Sequence, residues 1–322
     1  MRNAVRALVV GVAALFASFA WGQDVYPSKP IRIMAGGAAG GLLDMLARLV
    51  ATEMQKGWGQ PVIVENKPGA AGIIAAVSVA KAAADGYTLL LAPGAHAIVP
   101  ALRKIPPYDA VRDFTAITLL VSMPNILVVR ANFTGKDVKD YIALAKSRPG
   151  QVTYATSGIG TTVHLGGEMF SSLAGIKLNH IPFKGANESV AAVVAGQVDS
   201  SWSAVSAALS NIKAGRARAL AVASERRTHF LPDVPTFAEQ GITGLKSETW
   251  YGVLGPANLP APIVQKLNNF LVQWMERLDM RESIMKLGME TVVLQPVQFA
   301  DQIRRELDMY SALARSANIK QE

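Results

Sequence analysis

From residue 31 onward, short extended runs alternate with longer segments whose apolar residues recur every three or four positions. Ile31-Arg32-Ile33-Met34 leads into a glycine-rich turn over 36–41, after which Leu42, Met45, Leu46, Leu49, Val50 and Met54 share one helical face. Gly57-Trp58-Gly59-Gln60-Pro61 is expected to stop that helix near Gly57. The rhythm then gives a strand at 62–64, a helix at 73–84 and a strand at 87–91. It resumes with a strand at 126–129, a helix at 137–147, a strand at 152–155 and a helix at 161–173. Helical patterns at 190–195 and 204–212 precede an extended run at 217–223. The last part reads extended at 250–255, helical at 261–278, extended at 291–294 and helical at 297–314. Strands separated by helices need crossover connections, so the pattern predicts an α/β chain with a mostly parallel sheet. At 322 residues, half of them apolar, the chain has enough material for two cores.

The first residues follow a different pattern. Met1, Arg2 and Arg6 precede an apolar run over 7–21, and Ala20-Trp21-Gly22 offers a small-x-small cleavage site. A run of roughly 15 apolar residues falls short of the roughly 20 that span a bilayer, so 1–22 is expected to be a cleaved signal peptide and the protein periplasmic. The chain has no cysteine, which removes disulfides, thiol chemistry and a lipid anchor on cysteine. The formal charge is +8, but the basic residues are scattered, which argues against a nucleic-acid partner.

Enzyme signatures are missing: there is no G-x-x-x-x-G-K-[ST], G-x-S-x-G or H-E-x-x-H. His164 and Glu168 have the spacing of a minimal metal pair, but two ligands do not close a site, so no metal is expected. Gly158-Ile159-Gly160 starts like a dinucleotide fingerprint, yet Val163 occupies the third glycine position, and no cofactor is expected. What remains is a pair of turns, 36–41 and 157–162, each between a strand and a helix. Backbone N–H groups at a helix N-terminus are an anion site, and glycine lets the anion approach. Two such turns from two lobes would make a clamp for a small organic acid.

Several stretches closely resemble one known family. They include Tyr26-Pro27-Ser28-Lys29-Pro30-Ile31-Arg32-Ile33, Gly40-Gly41-Leu42-Leu43-Asp44, and Gly59-Gln60-Pro61-Val62-Ile63-Val64-Glu65-Asn66-Lys67-Pro68-Gly69. They continue with Asp85-Gly86-Tyr87-Thr88-Leu89-Leu90, Ser157-Gly158-Ile159-Gly160 with His164-Leu165, and Pro182-Phe183-Lys184-Gly185. Gly196-Gln197-Val198-Asp199, Leu231-Pro232-Asp233-Val234-Pro235-Thr236 and Trp250-Tyr251-Gly252 complete the set. Together they resemble the solute receptors of tripartite tricarboxylate transporters, the Bug family. The resemblance implies a bilobal periplasmic-binding-protein-like fold of type II, with two α/β domains joined by crossing hinge strands. One lobe would take 23–122 plus 250–322 and the other 123–249. It also implies a protein that captures a carboxylate and works with membrane permease subunits; a monomer is expected. An orphan sensory co-receptor that signals to a sensor kinase, and an exported enzyme, are the alternatives.

Carried onto this sequence, the resemblance nominates Gly36, Gly37, Ala38, Ala39, Gly40, Gly41, Ser157, Gly158, Gly160, Thr161 and Thr162 as ligand contacts, with Ala92, Gly94, His96 and Tyr251 on the rim. Lys184 is a further anion partner to weigh against an ordinary solvated lysine. The departures bear on the ligand. Gly37-Ala38-Ala39-Gly40-Gly41 lacks the aromatic residue and the proline common in the family's first turn, and Leu42 and Leu43 replace small polar residues. Ser203 stands where many relatives carry an aspartate suited to an ammonium group. The expected ligand is therefore a non-amino organic acid, aromatic or otherwise bulky, with Leu42 and Leu43 adding aliphatic surface to its site.

Overall fold

The computed structural model describes residues 26–316, so the signal-peptide expectation over 1–22 lies outside the described residues. The first unit is β1 (Ile31–Ala35), α1 (Leu42–Trp58), β2 (Val62–Asn66), α2 (Ile73–Ala80), β3 (Thr88–Pro93) and α3 (Ala95–Ala101). β1 pairs in parallel with both β2 and β3, as the crossover pattern requires. α1 buries Leu43, Leu46, Ala47, Val50 and Met54 against Ile31 and Ile33. It runs past the expected stop and ends at Gly59, which takes the left-handed conformation (φ 69). Gly57 is inside the helix for a packing reason: a Cβ there would lie 2.3 Å from the ring of Phe270.

β4 (Phe114–Arg130) carries the chain out of this unit. The sequence reading assigned a strand only at 126–129, but 17 residues are extended, about 56 Å at 3.3 Å per residue. Nearly every side chain from Ile117 to Val129 is buried, so no two-residue alternation marks the strand. The second unit follows as α4 (Val138–Ser147), β5 (Thr153–Thr156), α5 (Thr162–Ala174), β6 (Asn179–Pro182), α6 (Ala186–Val194), β7 (Ser200–Ala204), α7 (Val205–Lys213) and β8 (Ala217–Val222). β5 pairs in parallel with β6 and β7.

β9 (Glu248–Pro256) brings the chain back, antiparallel to both β3 and β4. The expected helix over 261–278 is two, α8 (Ala261–Glu276) and α9 (Leu278–Lys286), because Arg277 is extended between them (φ −63, ψ 138) and bonds Glu53 and Asp279. β10 (Glu290–Thr291) and α10 (Pro296–Ser316) complete the described chain. The strand order is β2-β1-β3-β9-β4-β7-β5-β6, with β8 and β10 also on β4. β4 pairs with β9 up to Pro124 and with β7 from Asn125, so one continuous strand belongs to two parallel-sheet units. This is the expected bilobal α/β architecture, with β4 and β9 as the crossing strands. Among the described residues no helix is long and apolar enough to cross a membrane.

Candidate functional site

The turn between β1 and α1 departs from the expected row of open donors. Gly40 has φ 79 and donates its N–H to Asp44 Oδ2 at 2.8 Å, and Gly41 donates to the Ala38 carbonyl at 3.1 Å. Asp44 is buried and also accepts from Arg48 Nε at 3.0 Å. The Arg48 hydrogen bond, then that of Gly40, holds its carboxyl below the ordinary range. Asn66 Nδ2 anchors the turn by donating to the Gly37 carbonyl at 3.2 Å. The N–H groups of Gly37, Ala38 and Ala39 keep no acceptor among the described residues and are the turn's available donors. Leu42 and Leu43 do not add surface here: both pack into the first core, with Leu43 only 8% exposed.

The turn between β5 and α5 is built around two glycines in the positive-φ region, Gly158 (φ 122) and Gly160 (φ 75). Gly158 N–H donates to Thr156 Oγ1 at 3.2 Å and Gly160 N–H to His164 Nδ1 at 3.4 Å. Thr161 caps α5, accepting from His164 N–H, while its hydroxyl donates to the Gly158 carbonyl at 2.7 Å. Ser157, through its N–H and hydroxyl, and the N–H groups of Ile159 and Thr161 have no partner among the described residues. Behind the turn, the rings of His164 and His180 lie 4.4 Å apart. Desolvation lowers them to about 3 and about 4, so both are neutral at ordinary pH and the turn offers dipoles without a cation. Glu168 accepts from the Tyr154 hydroxyl and does not share a site with His164. Among the described residues no group of three or more His, Asp or Glu is placed to hold a metal ion.

Close backbone contacts link the two turns. A Cβ on Gly36 would lie 2.7 Å from the Gly72 Cα, and one on Gly72 would lie 3.7 Å from the Pro93 ring. A Cβ on Gly94 would lie 2.8 Å from Thr162 Cγ2 and 3.2 Å from Trp250 Nε1. The ends of β1, β2, β3 and β5 thus form one line of contacts. Gly94 N–H donates to the Trp250 carbonyl at 3.0 Å, and Ala92 is buried beside it. Phe183 brings the β6–α6 turn to the second glycine turn, its carbonyl 3.5 Å from a Cβ placed on Gly158.

The other nominated residues separate. Tyr251 pairs with Pro93 across β9 and β3, is half-buried, and burial pushes its hydroxyl up to about 12. Lys184 is exposed and its ammonium makes no ion pair among the described residues. Ser203 is fully buried opposite Ile126, its hydroxyl on the Ala204 carbonyl at 3.3 Å. His96 is a core residue: it is 2% exposed, stacks on Tyr108 at 5.1 Å, and bonds the Ala110 carbonyl through Nε2 at 3.1 Å. Sequence reasoning did not select Gly72, Ile159 or Thr249. Gly69-Ala70-Ala71-Gly72 was legible as a third strand-to-helix turn. Ile159 is 54% exposed between Gly158 and Gly160, both at positive φ.

The comparisons agree with this geometry. Residues 46–319 match the family model "Tripartite tricarboxylate transporter family receptor". Protein BugT of Bordetella pertussis is 33% identical over 300 residues, 92% of each chain. The R. palustris protein Rpa4515, solved with adipate, superposes with a TM-score of 0.82 at 30% identity, covering 91% of this chain and 98% of its own. MatC from Rhodopseudomonas palustris, solved with bound malate, gives a TM-score of 0.79 at 30% identity, covering 89% and 99%. Two donor-bearing turns on a two-unit α/β frame, matched along nearly its whole length by these proteins, place the chain in the tripartite tricarboxylate transporter receptor family, the Bug group of solute-binding proteins, which are receptors and not enzymes.

Proposed function

We propose that this periplasmic receptor captures a small organic carboxylate without an ammonium group and hands it to the membrane permease subunits of a tripartite tricarboxylate transporter. The lobes are taken as 23–122 plus 250–322 and 123–249, because β4 changes partners between Pro124 and Asn125 and β9 begins at Glu248. The supporting observation is the set of unpartnered donors on the two turns: the N–H groups of Gly37, Ala38 and Ala39 on one, and those of Ser157, Ile159 and Thr161 with the Ser157 hydroxyl on the other. A carboxylate has about four lone-pair sites and can accept from both sets at once. Adipate and malate in the related structures are acids of this class.

Among the described residues the two turns themselves carry no free carboxylate, and this sets the preference. Ser203 brings no carboxylate, and Asp44 under the first turn is already bound to Arg48 and Gly40. An amino acid would leave its ammonium desolvated and unpaired, a penalty of about 1–3 kcal/mol or more. The exposed Ile159 favours a ligand with a hydrocarbon body. A thermal-shift panel of adipate, malate, benzoate, phthalate, aspartate and glutamate tests this reading. A ligand at about 100 times its Kd stabilises by about 2.7 kcal/mol. Larger shifts with aspartate or glutamate than with the other acids would overturn the preference.

A further inference from the structure

The point at which β4 passes from one unit to the other is a single buried residue. Asn125 has no exposed surface, and its backbone is held on both sides: its N–H donates to the Ser247 carbonyl at 3.0 Å, and its carbonyl accepts from Ala223 N–H at 2.8 Å. Its side chain reaches further. Nδ2 donates to Ser247 Oγ at 2.8 Å, and Oδ1 accepts from Thr249 Oγ1 at 2.9 Å. Ser247 Oγ donates to the Thr162 carbonyl at 3.1 Å, while the hydroxyls of Thr249 and Thr162 are 2.6 Å apart.

Each hydroxyl has one proton, and this fixes every direction. Thr249 gives its proton to Asn125, so Thr162 is the donor to Thr249. The four residues form a closed ring: Thr162 to Thr249, Thr249 to Asn125, Asn125 to Ser247, and Ser247 back to Thr162. The amide at position 125 offers an acceptor and a donor on one carbon; an aliphatic side chain of similar volume offers neither. Thr162 is the first residue of α5, directly after the second glycine turn. The next turn of that helix is held as closely, since a Cβ on Gly166 would lie 2.5 Å from Ser247 Oγ.

We propose that Asn125 is a positioning residue for ligand capture: through this ring it locks the carboxylate-binding turn to the crossing strands, so that the turn's orientation and the hinge angle change together. The effect on affinity rests on the carboxylate-receptor reading; the locking of the turn does not. Opening the ring at any member leaves buried groups unpartnered and frees the first turn of α5. The bound state depends on the turn staying in place, so the loss falls on ligand release.

The test uses two variants that preserve shape. Asn125→Leu can neither donate to Ser247 nor accept from Thr249, and Thr249→Val removes the hydroxyl between Asn125 and Thr162. Adipate association and release are followed by stopped-flow tryptophan fluorescence, and amide exchange is measured in the unliganded protein. Each variant is expected to bind adipate about tenfold more weakly through faster release, with the association rate within twofold. The double variant is expected to be no weaker than the worse single one, because the ring is already open. Amides at 163–166 are expected to exchange faster, while those of α8 do not change. A lowered melting temperature with unchanged release and unchanged exchange at 163–166 would reduce the ring to ordinary packing and overturn the proposal. So would additive losses in the double variant. Failure of the unaltered protein to bind adipate counts against the ligand reading alone; the exchange data then decide the ring. Thr249→Val carries the test if Asn125→Leu does not fold.

Discussion

Gly94→Ala probes the contact between the lobes most directly. The added methyl would sit 2.8 Å from Thr162 Cγ2 and 3.2 Å from Trp250 Nε1. Comfortable carbon–carbon separation is about 3.5–4.0 Å, so the Thr162 side must retreat by roughly 1 Å. Trp250 cannot make way, because both Glu306 carboxylate oxygens hold its indole N–H, at 3.0 and 2.9 Å. On the proposed division Thr162 lies in the other lobe, so a rotation about the hinge that carries Thr162 with Ser247 and Thr249 would relieve the clash. Overpacking costs about 1–3 kcal/mol, and under the proposed hinge closure it falls on whichever state keeps Gly94 and Thr162 in contact. The expected result is a loss of affinity of about 5- to 150-fold, with little change in the melting temperature of the unliganded protein. Calorimetry with the best carboxylate of the panel and small-angle scattering of the free and liganded protein measure the two effects. Full affinity, or a large fall in stability with affinity intact, would refute the account of Gly94 as an inter-lobe contact.

Three further changes have defined outcomes. Burial raises Glu306 to about 7 from an ordinary 4.5, so the unfolded chain releases this proton first and stability falls as pH rises from about 4.5 to about 7, then levels. Glu306→Gln is expected to flatten that part of a pH series of denaturant melts, and an unchanged slope would exclude this carboxyl as its source. Gly57→Ala places a methyl against Phe270 and is expected to cost about 1–3 kcal/mol, seen as a Tm lowered by about 2–4 °C per kcal/mol without loss of affinity. Ile159→Ala is expected to weaken carboxylates with long or aromatic bodies by about 1–2 kcal/mol and short ones much less, at constant Tm, in a calorimetric comparison of adipate with malate.

The parallel crossover units were legible because their helices are amphipathic: the face set by Leu46, Val50 and Met54 is the face that packs on β1. The two strand-to-helix glycine turns were legible too, since glycines between an extended run and a helical pattern mark such connections. β7 was not. Ser200-Ser201-Trp202-Ser203 has the composition of a loop, yet all four are fully buried. The hydroxyls are satisfied there, Ser200 with Tyr141 at 2.7 Å and Ser201 with Ser189 at 3.2 Å, so a polar run becomes a central strand. His96 misled in the opposite way: a polar ring beside a rim turn is consumed by Tyr108, Phe114 and Ala110.

The sequence alone determined the α/β alternation, the two strand-to-helix glycine turns and the family, because local periodicity and turn chemistry act over a few neighbours. Only the folded conformation decided which turn donors remain available, since Asp44, Ala38, Thr156 and His164 take four of them within the turns themselves. It also decided that Asn125, Ser247, Thr249 and Thr162 share their protons in a ring. Those residues are up to 124 positions apart, and hydrogen bonds act only where folding brings donor and acceptor within about 3 Å.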